Sequence, residues 1–102
     1  MIETINSKDK ELTVRISGTF VFDIYKEFTR VYKDNKGKYD KFILDMRETK
    51  YMDTSALAML LQMREYLEAD KKDIHIINCN NNVGNLFKIS NFDELFTLVS
   101  SS

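Results

Sequence analysis

Tyr51-Met52-Asp53-Thr54-Ser55-Ala56-Leu57 is where this sequence concentrates residue types that can do chemistry. Asp, Thr and Ser carry short side chains whose oxygens accept hydrogen bonds from the free N–H groups at a helix start. The apolar run from Ala56 to Leu61 supplies a helix for them to open. Most helix starts of this composition are capped and nothing more. The same position also favours negative charge, because free N–H groups and the positive end of the macrodipole meet there. A phosphate on Thr54 or Ser55 would bring roughly two negative charges and a set of acceptor oxygens to the surface without unfolding the domain.

No other group of residues forms a reactive constellation. His75 is the single histidine, lies in an apolar run, and has no cysteine or carboxylate at metal-ligand spacing, so no metal site is expected. Cys79, the single cysteine, reads as a small core residue and excludes an intramolecular disulfide. The 3 glycines make no phosphate-binding loop, and without a second histidine the usual hydrolase sets lack parts. No catalytic residue and no cofactor are expected, and the chain does not read as an enzyme. Lys33, Lys36, Lys38 and Lys41 interleave with Asp34 and Asp40 as a solvated basic turn.

The helix from about Thr54 to Ala69 must position the hydroxyls, and its first turns are apolar all round. At about 100° per residue, Ser55, Met59, Gln62 and Tyr66 fall near one line, with Leu57, Leu60, Leu61 and Arg64 on another face. Two arrangements fit this pattern. In one the helix is deeply buried, with Met63 and Leu67 in the core. In the other Met59, Gln62, Met63 and Tyr66 form a partly exposed, partner-binding patch beside the hydroxyls.

The elements around that helix alternate between strand and helix patterns. Leu12, Val14 and Ile16 alternate with polar residues in a strand from Glu11 to Ser17, and Met1 to Asn6 is its candidate partner across the turn Ser7-Lys8-Asp9-Lys10. Helical spacing runs from Asp23 to Tyr32, and again from Val83 to Ile89. Phe42-Ile43-Leu44, Ile74 to Ile77, and Leu95 to Val99 read as further strands, the first apolar enough to be buried on both faces. The order strand-strand-helix-strand-helix-strand-helix-strand predicts one α/β domain with a mostly parallel sheet and right-handed crossovers. At 102 residues, with 43% hydrophobic and 12% aromatic residues, the chain has room for one domain with one core. The formal net charge of −1 offers no field for nucleic acid. The N-terminus lacks signal-peptide order and no apolar run is long enough for a bilayer, so a cytoplasmic protein without direct membrane contact is expected. Ser100 to Ser102 read as a frayed tail.

Set in that order, Phe42-Ile43-Leu44-Asp45 followed by Met52-Asp53-Thr54-Ser55-Ala56-Leu57 resembles the STAS domain of bacterial anti-sigma-factor antagonists. Gly18 after Ile16-Ser17, and Leu86-Phe87-Lys88-Ile89-Ser90-Asn91-Phe92, extend the likeness across roughly Glu11 to Val99. The resemblance implies a phosphorylated residue directly after the aspartate, which is Thr54, with Ser55 as second choice and Asp53 as its neighbour. It implies a partner serine/threonine kinase that is also the anti-sigma factor, a phosphatase that reverses the modification, ATP on the partner alone, and a monomer or weak dimer. This chain has threonine where serine is usual and Ala56 where glycine is usual. A second job on the same fold is implied too: a subunit bound to an ABC-transporter ATPase in bacterial lipid transport, with Thr54 an interface residue and no phosphorylation.

Overall fold

The protein is described by a computed structural model that covers residues 1–6 and 9–99. Period-two alternation sets the main sheet. The strands β1 (Ile2–Asn6), β2 (Glu11–Ile16), β4 (Lys41–Asp45), β6 (Ile74–Ile77) and β7 (Thr97–Val99) lie in the order β1-β2-β4-β6-β7. β1 is antiparallel to β2 and every other pair is parallel. Register places Leu12, Phe42 and Ile74 in one row, and Val14, Leu44, Ile76 and Leu98 in the next. These rows face the core. The rows between them, Thr13-Ile43-His75-Thr97 and Arg15-Asp45-Ile77-Val99, project from the opposite face.

The strand order advances steadily in one direction, so right-handed crossovers place every connecting helix on the same side. These helices are α1 (Tyr25–Asp34), α2 (Thr54–Leu67) and α3 (Asn81–Ile89). Phe28 and Tyr32 of α1, Leu57, Leu60 and Met63 of α2, and Val83 and Phe87 of α3 join the strand rows in one core. Rings pack through it, Phe20 tilted against Phe28 at 5.1 Å and Phe87 stacked on Phe92 at 5.8 Å. No helix of the described residues is long and apolar enough to cross a membrane.

The α/β reading and the parallel strands Phe42–Asp45 and Ile74–Ile77 match the sequence. Two short strands are additional: β3 (Gly18–Phe20) and β5 (Thr49–Met52) pair in parallel apart from the main sheet. Gly18 makes this possible, because at φ +83° it turns the chain through backbone that favours glycine and donates its N–H to the Glu48 carbonyl. α1 starts at Tyr25 because Phe22–Ile24 form a 3-10 turn, and another at Phe92–Glu94 delays the last strand to Thr97. Of the turn Ser7 to Lys10, Ser7 and Lys8 lie outside the described residues, as does the tail Ser100 to Ser102.

Asp45 is the buried charged side chain of the described sheet, 3% exposed at the end of β4. One oxygen accepts from Arg47 N–H and from Asn78 Nδ2, both at 3.0 Å, and the other from Arg15 Nε at 3.2 Å. Burial pushes this carboxyl up, but the Asn78, Arg47 and Arg15 hydrogen bonds and the guanidinium charge outweigh it and hold it below its ordinary value. A carboxyl with a depressed folded pKa contributes stability that is present above its unfolded pKa and lost as pH falls through the folded one. Asp45→Asn should therefore cost about 1–3 kcal/mol at neutral pH. The gap from wild type should close below about pH 4 in urea titrations; a gap independent of pH would refute the charge assignment.

Candidate functional site

β5 delivers the chain to the start of α2. Met52 is buried and anchors the strand end. Asp53 follows in extended backbone, φ −122° and ψ −171°, as the residue before the helix. Its Oδ1 accepts from Ser55 N–H at 2.9 Å and from Ser55 Oγ at 2.5 Å. The Ser55 hydroxyl first, then the backbone N–H groups of Ser55 and Ala56, hold the Asp53 carboxyl below its ordinary range. Asp53 is thus the cap, and Ser55 is half-buried and tied to it. Thr54, the first helical residue, is exposed, with no hydrogen bond from its hydroxyl among the described residues. The two hydroxyls, equivalent by residue type, differ in availability.

The four patch residues separate. Gln62 is exposed and Tyr66 is 41% exposed, whereas Met59 and Met63 are 2% and 1% exposed. Met59 and Met63, one turn apart, share the core-facing side of α2 with Ala56 and Leu60, so both belong to the core and not to an exposed patch. The water-facing side of α2 runs instead through Thr54, Ala58, Leu61, Gln62, Glu65 and Tyr66. Ala58 and Leu61 were concealed by the apolar run around them, which marks no outer side.

Facing that side, Phe22 is 61% exposed and stacks on Tyr25 with centroids 5.0 Å apart. Phe22, Tyr25, Ser55, Ala58 and Gln62 line a hollow of about 310 Å³ together with Met59, which borders it although only 2% exposed. A second hollow of about 340 Å³ adjoins it, sharing Tyr25 and Gln62 and reaching Lys33, Glu65 and Tyr66. Lys33 Nζ and Lys36 Nζ lie 5.3 Å and 4.7 Å from the centroid of the Tyr66 ring. The two hollows form a groove between α1 and α2 that begins beside Ser55.

The remaining candidates lie elsewhere. A cleft of about 420 Å³ between α3 and β7 includes Cys79, Phe87 and Leu98 and shares no residue with α2. Burial pushes the Cys79 thiol up to about 11, so it stays protonated at neutral pH and is a poor nucleophile. His75 is on the helix-free sheet face, its Nε2 3.1 Å from the Lys72 carbonyl oxygen. No group of metal-ligating side chains is found among the described residues.

The fold recurs in known proteins. The chain is 34% identical over 89 residues to a STAS-domain containing protein of Pseudomonas aeruginosa, covering 87% of this chain and 88% of the relative. Its backbone superposes on the anti-sigma factor antagonist SpoIIAA in its unphosphorylated form with TM-score 0.76 at 12% identity, over 100% of this chain and 90% of the other. The phosphorylated form of the Bacillus cell fate determinant SpoIIAA matches with TM-score 0.76 at 13% identity, over 100% and 92%. A Thermotoga maritima protein assigned as an anti-sigma factor antagonist matches with TM-score 0.82 at 13% identity, over 99% and 86%. At such identities these structures establish the fold alone. The STAS domain family matches residues 3–102, nearly the whole length, and this chain belongs to it.

Proposed function

We propose that this protein is the antagonist in a partner switch, binding a serine/threonine kinase that is also an anti-sigma factor and released by phosphorylation of Thr54. The observation that carries this is the division of labour at the start of α2. Asp53 and Ser55 satisfy each other as the cap, while Thr54 presents an exposed hydroxyl beside the groove. A kinase can reach that hydroxyl without disturbing the helix. The phosphate it adds is accommodated in the free protein by the helix N-terminus. SpoIIAA, whose fold this chain shares, has been solved both phosphorylated and unphosphorylated. ATP belongs to the partner, a phosphatase resets the site, and the exchange takes place in the cytoplasm.

The test is a phosphosite map. The chain is incubated with ATP and the purified kinase that copurifies with it, then digested and sequenced by mass spectrometry. Phosphate is expected on Thr54, lost in Thr54→Ala and retained in Ser55→Ala. Phosphate on Ser55 alone moves the acceptor and overturns the assignment; no incorporation at either hydroxyl overturns the switch.

A further inference from the structure

The cleft of about 420 Å³ between α3 and the edge strand β7 opens at the carboxyl ends of β6 and β7. Crevices outside the carboxyl ends of parallel strands are where open α/β sheets take ligands. The volume falls within the roughly 300–1,000 Å³ of small-molecule sites. One wall is the α3 face made by Asn81, Gly84, Asn85 and Lys88, which the helical repeat lines up over about 10 Å. Ile76 and Phe87, both fully buried, close the base, and half-buried Leu98 and Cys79 present apolar surface to the interior.

Gly84 leaves this wall bare, and the fold does not account for it. The other two glycines, Gly18 and Gly37, lie at φ +83°, where glycine is favoured. Gly84 has no positive φ and lies inside α3, where alanine is the better helix former. Packing does not require it either. A Cβ there would meet, among the described residues, the Cys79 Cβ alone, at 3.8 Å, which is an ordinary contact. A longer side chain would enter the cleft that Gly84 lines. A glycine that weakens its helix and only keeps a wall clear is what close approach of a bound molecule to the backbone requires.

The lining selects the kind of molecule. Lys88 and Asp93 are its charged residues, one of each sign, and both are exposed at the mouth. The Cys79 thiol, protonated at neutral pH, adds no charge. An ion inside would give up water against Leu98 and Cys79 with no dedicated counter-charge. Asn81 and Asn85, one turn apart beside Gly84, each offer an amide that both donates and accepts. The bare backbone next to them is a flat surface. We infer that this cleft binds a small, uncharged, planar molecule bearing an amide-like group, its ring against Gly84 and its donor–acceptor edge at Asn81 and Asn85. The site shares no residue with the start of α2 and stands apart from the proposed switch.

Benzamide is the probe, with benzoate and benzylamine as anionic and cationic counterparts of similar size. Each is titrated into the isotope-labelled chain and followed by NMR. Benzamide should shift the amides of Gly84, Asn85 and Leu98 saturably, with the roughly millimolar Kd expected of a one-ring fragment. It should bind about tenfold or more tightly than either ion. Gly84→Leu, which fills the cleft, should abolish the shifts, and Asn85→Leu, at an exposed site, should weaken benzamide about fivefold. Gly84→Ala should raise the melting temperature by roughly 4–8 °C, because it removes a glycine from a helix and its Cβ makes an ordinary contact. Absence of saturable shifts, shifts confined to the α1–α2 groove or the open sheet face, equal affinity for the charged probes, or undiminished binding in a folded Gly84→Leu would each overturn the inference. A melting temperature lowered by Gly84→Ala would make the glycine structural and overturn it too. None of these outcomes bears on the Thr54 phosphosite map.

Discussion

Thr54→Glu should fold like the wild type and bind the partner kinase more than about a hundredfold more weakly. In the free protein the new carboxylate occupies the first helical position, where the dipole stabilises it by about 0.3–1 kcal/mol. In the proposed complex it would give up water against a surface that, on this reading, receives a neutral hydroxyl. Leaving a charge poorly paired in such a place costs several kcal/mol, so desolvation outweighs the dipole. A net loss of about 3 kcal/mol corresponds to the expected change in affinity. Phosphate, with roughly two charges, should do more.

Thr54→Ala should bind normally and stop responding to ATP. Its stability should barely change, because Asp53 and not Thr54 caps the helix. Ser55→Glu differs: it removes the hydroxyl that bonds Asp53 and sets a second carboxylate beside the first. That variant should lose stability as well as affinity. Calorimetric titration of the three variants decides the matter, since equal affinity for wild type and Thr54→Glu would refute the electrostatic switch.

The fold was legible where pattern and burial coincide. Phe42 to Asp45 and Ile74 to Ile77 are short, apolar and bounded by polar turns, and each forms the strand its pattern announces. Thr49 to Met52 has only its two ends buried, too short a signal to mark a strand. Its pairing with Gly18 to Phe20 is a tertiary event across distant sequence. The hydroxyl site was legible as a helix start, because Asp, Thr and Ser before an apolar run announce a cap. Which hydroxyl the cap engages depends on the extended backbone at Asp53, which residue type does not encode.

The outer side of α2 was the least legible feature, for a physical reason that makes its own test. A helix apolar all round its first turns gives periodicity nothing to orient by. Packing on the sheet orients it, and the packing puts Met63 in the core at 1% exposure, with Gln62 one position away in water. Met63→Asp should therefore destabilise the domain by about 4 kcal/mol or more, since the carboxylate enters an apolar core with no partner. For a domain of this size each kcal/mol moves the melting temperature by roughly 4–8 °C, so a fall of at least about 16 °C is expected. Against a total stability of about 5–15 kcal/mol, that loss leaves about 1–11 kcal/mol, so a domain near the lower bound should be partly unfolded at 37 °C. Gln62→Asp introduces the same charge on the same turn and should cost no more than about 1 kcal/mol, mostly helix propensity. Loss of partner binding in Met63→Asp would then report unfolding and not a broken contact. Thermal unfolding of the pair by circular dichroism separates the cases. Equal melting temperatures would place Met63 at the surface and return it to the partner-binding face.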